Sequence, residues 1–201
     1  MVFNCPPECD WVHPKYYSYK GVPGAHRGLI FVFEADAGFW EKVLSIFNKD
    51  DLLSPPVRYR EPRPHCTISG RIYDDVPFSI LLDALQGSSC LDTPAVFPKT
   101  LDFLRDNVGD AVYLKLEEDS FWHAKDSVLP WDASCQQYVP HITLTHVGSG
   151  KGKDYCAELS DFGVNPAKLN ALGIKYNLSR RMDACYNLRS KNVTVYRHKG
   201  R

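Results

Sequence analysis

Polar and apolar residues alternate in two short segments of this chain, and a proline precedes each segment. In an extended strand, successive side chains point to opposite faces, so residues two apart share a face. In the first segment this pattern places His65, Thr67 and Ser69 on one side, with Cys66 and Ile68 on the other. We therefore predict a strand whose apolar side chains enter a core while an imidazole and hydroxyls face outward.

The second segment repeats this order of residues. His141, Thr143 and Thr145 fall on one face of the predicted strand, and Ile142 and Leu144 fall on the other. Two such strands side by side would form a cleft into which two histidines and two threonines converge. A set of titrating imidazoles and hydroxyl donors of this kind suits chemistry at a phosphate group.

Hydrophobic periodicity predicts the remaining elements. Amphipathic stretches indicate helices, and short apolar or alternating runs indicate strands. The predicted helices span residues 39–47, 76–85 and 155–159, the predicted strands span 29–33, 95–104, 111–116, 169–174 and 193–196, and residues 119–139 are part helix and part loop.

A helix-bearing segment beside a strand with His-x-Thr occurs twice, about half a small domain apart. This recurrence predicts an α+β domain of two pseudo-symmetric lobes, each an antiparallel sheet with flanking helices, around a central cleft. At 201 residues, the chain fits one such domain with its own core. We assign this domain to residues 28–201. Residues 1–27 are rich in Pro, Gly, Tyr and Cys without a clear period, so we expect an irregular N-terminal arm there.

Composition and charge narrow the range of partners. Hydrophobic residues make up 44% of the chain, charged residues 24%, and the formal net charge is zero. A neutral chain argues against coating of a long polyanion and favours a nucleotide or a short RNA or oligonucleotide as substrate. Residues 175–201 hold eight Lys or Arg against one acid, Asp183. This segment is either a solvated tail or a positive rim that helps to hold a phosphate-bearing ligand.

Cysteine usage indicates a reducing compartment. The seven cysteines have no framework spacing, and no secretory signal pattern precedes them. No apolar run approaches the ~18 residues of a membrane span. Cys5, Cys9 and His13 lack a fourth ligand for zinc. We therefore expect a cytoplasmic monomer that binds no metal, no cofactor and no membrane.

Displacement at phosphorus requires one proton to leave the attacking oxygen and another to reach the leaving oxygen. Histidine can serve in either role near neutral pH. We predict that His65 and His141 are the catalytic acid–base pair, with the order of their roles left open. The hydroxyls of Thr67 and Thr143 can donate hydrogen bonds to the phosphate oxygens and so bind the substrate. The alternative is that both histidines are ordinary surface or core residues.

The two segments resemble the motifs that define the two-histidine (2H) phosphoesterases, a superfamily with a His-x-Thr/Ser motif on a strand of each of two related lobes. The resemblance runs roughly from Leu29 to the C-terminus. It carries the functional positions of the family onto His65, Thr67, His141 and Thr143, all present without substitution. Members of the family need no metal. They act on bonds that involve a ribose 2′-oxygen, in 2′,3′-cyclic phosphates, 2′,5′-linked oligoadenylates, 2′,5′ ligation or RNA 3′ ends.

The resemblance therefore implies a metal-independent phosphodiesterase that opens 2′,3′-cyclic phosphates or cleaves short 2′,5′-linked oligonucleotides. RNA 3′-end processing or 2′,5′ ligation with the same residues is the alternative among enzymes. A non-catalytic RNA- or nucleotide-binding module is the alternative outside them. Because a binding module has no need of two titrating groups, the intact histidines favour an enzyme.

Residues near the motifs are secondary candidates for substrate recognition. Tyr73, Trp131 and Tyr138 could stack on a nucleobase, although most aromatic side chains of a globular domain belong to its core. Arg71 follows His65 at an even spacing and could therefore face the phosphate.

Overall fold

The computed structural model describes residues 25–34, 37–53, 64–88, 90–92, 95–96, 99–105, 109–132, 138–163, 169–179 and 182–197. Residues 1–24 lie outside these ranges, so the irregular arm stays a prediction. The first strand begins at Ala25, slightly ahead of the predicted domain boundary.

The described part of the chain contains nine strands and four α-helices. The strands are β1 (Ala25–Glu34), β2 (His65–Tyr73), β3 (Ala95–Val96), β4 (Thr100–Arg105), β5 (Asp110–Lys115), β6 (His141–Val147), β7 (Leu169–Ser179), β8 (Met182–Asn187) and β9 (Val193–Arg197). The helices are α1 (Ala37–Ser45), α2 (Phe78–Gly87), α3 (Asp119–Val128) and α4 (Gly152–Asp161).

All of these strands belong to one antiparallel sheet with the order β4-β5-β6-β2-β1-β7-β8-β9, and β3 pairs with one end of β7. The order is symmetric about the boundary between β6 and β2. On one side the chain runs β1-α1-β2-α2, and on the other it runs β5-α3-β6-α4. Each motif strand thus pairs with the strand that precedes it and is followed by a helix. The predicted α+β class with two pseudo-symmetric halves is confirmed.

The four helices cover one face of the sheet. Their apolar side chains form a single buried cluster with alternate residues of the strands, as with Leu81 of α2, Phe121 of α3 and Phe31 of β1. Each fully buried side chain of this size contributes roughly 1.5–3 kcal/mol relative to an exposed one. Ile68 of β2 and Leu144 of β6 also enter this cluster, so the motif histidines and threonines lie on the opposite face.

Each motif strand contains a β-bulge directly after its motif threonine. The pairing registers pass over Ile68 in β2 and Leu144 in β6, which leaves one extra residue in each strand. A bulge sets two residues opposite one and disturbs the alternation of faces. Ser69 and Thr145 are consequently buried, at 2% and 0% exposure. The prediction that they share the outward face of the histidines is wrong for both.

Three strand predictions needed correction. The strand expected over residues 95–104 is two strands, β3 and β4. Strand β7 continues to Ser179, well beyond its predicted end. Strand β8 was not predicted, because its sequence contains a charged residue, Asp183, at a buried position. Asp183 is buried there and forms an ion pair of 2.6 Å with the equally buried Lys175 of β7.

A buried carboxylate fixes the edge of the half that contains β6. Asp110, at the start of β5, accepts hydrogen bonds from the backbone N–H groups of Gly150 and Gly152, both at 2.9 Å. It also pairs with the Arg105 guanidinium of β4 at 3.0 Å. That contact, together with the two backbone bonds, lowers the pKa of Asp110 despite its burial. One side chain therefore ties β4, β5 and the turn between β6 and α4 together.

We predict that Asp110→Ala lowers the free energy of unfolding by about 3 kcal/mol, because the buried N–H of Gly152, the N–H of Gly150 and the Arg105 guanidinium all lose their acceptor. Urea denaturation followed by circular dichroism measures the change. The matched control is Asp83→Ala on an exposed position of α2, which we expect to cost less than about 0.5 kcal/mol. Equal losses in the two variants would show that Asp110 is not a structural anchor.

Candidate active site

The site lies where the two halves of the sheet meet. Strands β2 and β6 pair in an antiparallel manner through Cys66 and Ile142, and both side chains are fully buried in the core. Continuing this register by one residue in either direction sets His65 opposite Thr143 and Thr67 opposite His141. The structure thereby brings all four predicted site residues together on one face.

Sheet geometry sets the spacing of the two imidazoles. The histidines lie on a diagonal of the pairing, where Cα atoms are about 7–8 Å apart and long side chains still reach one another. His65, Thr67, His141 and Thr143 are all half-buried, neither sealed in the core nor fully exposed. This separation leaves room for one phosphate group between two ring nitrogens. The hydroxyls of Thr67 and Thr143 lie on the same face of the sheet as the two imidazole rings.

The tautomer of His141 follows from its hydrogen bond. Its Nδ1 lies 2.7 Å from the backbone oxygen of Val139. Because a carbonyl oxygen only accepts hydrogen bonds, Nδ1 must carry the proton. The neutral ring therefore holds its lone pair on Nε2, the nitrogen that can take a proton from an attacking oxygen.

Strand β5 supplies the wall beside His141. The ring of Tyr113 packs against the imidazole with centroids 5.1 Å apart and planes at 57°. The Tyr113 hydroxyl donates a hydrogen bond of 3.3 Å to Asp102 of β4, and burial raises its pKa to about 12. Lys115 lies directly opposite His141 in the β5–β6 register. Burial also lowers the pKa of His141, while the bond to Val139 opposes that shift in part.

Tyr113 and Lys115 were not singled out from the sequence, although a signal was present. The apolar residues Val112 and Leu114 alternate with them along the strand and are buried in the core. Tyr113 and Lys115 must then face away from the core. What the sequence does not reveal is that β5 pairs with β6, since α3 and a further segment separate the two strands in the chain.

The aromatic candidates chosen from the sequence lie elsewhere. Tyr138 and Trp131 pack against the hydrophobic core on the helix side of the sheet. The Tyr138 hydroxyl lies 3.7 Å from the thiol of Cys66, behind the motif strands. Tyr73 is 42% exposed at the end of β2. The β1–β2 register shifts a second time between Ser69 and Ile72, and Ile72 again enters the core, so the placement of the half-buried Arg71 on the face of His65 stays a prediction.

Cys66 does not have the properties of a nucleophile. It is fully buried between the two motif strands, and burial raises the pKa of its thiol to about 11. Since only the thiolate attacks, Cys66 is a packing residue of the strand junction.

The described residues contain neither a metal-binding cluster nor a membrane-spanning helix. Within those residues, no group of three or more His, Cys, Asp or Glu side chains is arranged to hold a metal ion. None of the helices in the described ranges is long and apolar enough to cross a membrane.

No family model and no curated protein matches this chain. Among solved structures, it is similar to Kluyveromyces marxianus Usb1, at 8% identity and a TM-score of 0.47, over 85% of this chain and 97% of that one. It is also similar to a phosphoesterase, at 11% identity and a TM-score of 0.43, over 86% and 96% of the two chains. A third is Escherichia coli LigT in its apo form, at 14% identity and a TM-score of 0.42, over 86% and 95%.

We predict that His141 titrates below its ordinary pKa of 6.5, because burial disfavours the imidazolium. Titration of its ring protons by NMR, assigned with His141→Gln, measures this value. The unfolded chain binds this proton more readily than the native state between the two pKa values, so His141 makes stability decrease as the pH falls below 6.5. A native pKa at or above 6.5 contradicts the proposed environment of the ring.

Proposed function

We propose that this protein is a metal-independent phosphodiesterase that acts at a ribose 2′-position, on 2′,3′-cyclic phosphates or short 2′,5′-linked oligonucleotides. The observation that carries the proposal is the antiparallel pairing of β2 with β6, which gathers His65, Thr67, His141 and Thr143 on one half-buried face. In the same proposal the protein works as a cytoplasmic monomer.

The geometry favours one order of roles for the two histidines. With Nδ1 bound to the Val139 oxygen, Nε2 of His141 accepts a proton from the attacking water as the new P–O bond forms. The bond from phosphorus to the ribose oxygen then breaks, and His65 as an imidazolium gives its proton to that oxygen. A bound phosphate dianion or diester favours the charged form of His65. Atoms and charge balance, since one proton enters and one leaves the pair.

The threonines have a separate task in this mechanism. Thr67 lies opposite His141 and Thr143 lies opposite His65 in the pairing of β2 with β6. Their hydroxyls can donate hydrogen bonds to the non-bridging phosphate oxygens, where negative charge grows in the pentacoordinate state. Such donors act without a metal ion, which is the basis for proposing metal independence.

Two alternatives use the same residues. RNA 3′-end processing or 2′,5′ ligation would require a longer or a second strand to reach the same acid–base pair. A nucleotide-binding module without turnover does not need His141 to keep Nε2 free of a proton. The hydrogen bond that fixes Nε2 as an acceptor favours an enzyme over a binding module.

We expect turnover of at least one substrate in a panel measured in excess EDTA. The panel holds the four 2′,3′-cyclic nucleotides, a 2′,5′-linked oligoadenylate and its 3′,5′ isomer. The 3′,5′ isomer should remain intact. Loss of all turnover on chelation would contradict metal independence, and absence of turnover on every substrate would favour the RNA-end or binding-module alternatives.

We also expect His65→Ala and His141→Ala each to lower kcat by roughly 10²–10⁴-fold, the usual contribution of a general acid or base. The half-buried position of both rings should let the variants fold, which a thermal melt checks. His123→Ala is the matched control, because His123 is exposed on α3, which packs on the face of the sheet opposite the motif histidines. Near-wild-type kcat in both motif variants contradicts the mechanism.

A further inference from the structure

The sheet face that carries the histidines is not equally open on its two sides. Registers across β2, β1 and β7 place Ile30 and Val32 on this face, next to Thr67 and His65. Both are almost fully buried, at 2% and 1% exposure. Lys175 lies one strand further on the same face and is 4% exposed. A substrate held at the histidines therefore finds this side of the face closed.

The other side of the same face is open. Tyr113 and Lys115 of β5 are half-buried and lie opposite Thr143 and His141. On β4, the register continues this face with Thr100, Asp102 and Leu104, and all three are exposed. Two strand spacings from β6 to β4 cover about 10 Å, so the open area is continuous with the site and as broad as a nucleoside.

The chemistry of this open half fits a nucleoside that is attached to the reacting phosphate. Lys115 places a cation beside His141, with 39% of its side chain exposed and a long contact of 3.8 Å to Glu117. Tyr113 offers an aromatic ring, and Leu104 offers an apolar side chain that is 63% exposed. Bases stack on aromatic and apolar side chains with little regard to sequence. Asp102 can accept hydrogen bonds from a ribose or a base.

We propose that the face formed by β4 and β5 is the nucleoside subsite: Lys115 contacts the phosphate, and the sugar and base lie over Tyr113 and Leu104. This inference rests on the proposed function, because the subsite is defined by its distance from the two histidines. It adds the orientation of the bound nucleoside, which the two motifs alone do not determine. The nucleoside points towards β4, away from β1 and β7.

A competing location exists on the other half of the sheet, two strands from His65. A groove of about 860 Å³ is lined by Gly173, Asn187 and Thr194 together with the exposed Arg189 and Lys191 of the turn between β8 and β9. Gly173 and Asn187 share the face of His65 through the strand registers. The buried Val32 separates this groove from the histidines, which makes it the poorer place for a nucleoside on the reacting phosphate.

Amide chemical-shift mapping on the full chain tests the subsite with two probes, inorganic phosphate and adenosine 2′-monophosphate. Phosphate should perturb the amides around both motifs and the amide of Lys115. The nucleotide should add shifts along Thr100–Arg105 and Asp110–Lys115. Added shifts along Leu169–Ser179 and Met182–Asn187 instead, or no added shifts, overturn the proposal. This readout does not depend on turnover, so a chain that cleaves its substrate but maps to β7 and β8 refutes the subsite alone.

A pair of variants gives a second, independent test. Leu104→Glu should raise the Kd of adenosine 2′-monophosphate about tenfold, the effect of losing one base contact. The matched control is Ile80→Glu on the helix-covered side, where Ile80 is 41% exposed. Equal Kd values in the two variants overturn the proposal.

Discussion

The pairing of β2 with β6 is the constraint on which the rest of the structure depends. It joins the two halves of the sheet through Cys66 and Ile142, whose side chains are completely buried. Because faces alternate along a strand, burying this pair forces the residues on either side of it to the opposite face. His65, Thr67, His141 and Thr143 are those residues. Core packing thus positions the site, and no separate device is needed to converge the four side chains.

The bulges exclude Ser69 and Thr145 from the site. Without them the alternation would continue, and Ser69 and Thr145 would extend the polar face. The extra residue in each strand instead turns both hydroxyls inward. The same device in both halves keeps the two motif strands equivalent. Their environments still differ, because β5 offers Tyr113 and Lys115 to His141 while β1 offers the buried Val32 to His65. Different neighbours suit a pair in which one histidine accepts a proton and the other donates it.

Much of this arrangement was predictable from local sequence patterns. Alternation places His65 and His141 on strands, and the apolar periodicity of residues 39–47 and 76–85 indicates helices where α1 and α2 occur. The antiparallel class follows from the repeated unit. Strand β8 escapes prediction because its burial depends on the ion pair between Asp183 and Lys175, which only the fold brings together. The β-bulges likewise depend on pairing with the neighbouring strand, so the sequence of the motif does not indicate them.

Which strands become neighbours is the part that local patterns cannot supply. Tyr113 and Lys115 are recognisable as outward-facing, but their contact with His141 depends on the pairing of β5 with β6. Tyr138 illustrates the opposite case. Because it is close to His141 in sequence, it was a candidate for stacking on a nucleobase in the cleft, but its ring packs on the core side of the motif strands. Whether a side chain reaches the site is decided by strand order, not by distance along the chain.

A double-mutant cycle on the two histidines tests the central claim most directly. Single-turnover rates on the best cyclic or 2′,5′ substrate are compared for His65→Ala, His141→Ala and the double variant, each shown to be folded. If both rings act on one phosphate as a unit, the double variant should be about as slow as the slower single variant, since residues that act together are strongly non-additive. Losses that multiply, as for independent sites, would contradict a shared phosphate between β2 and β6.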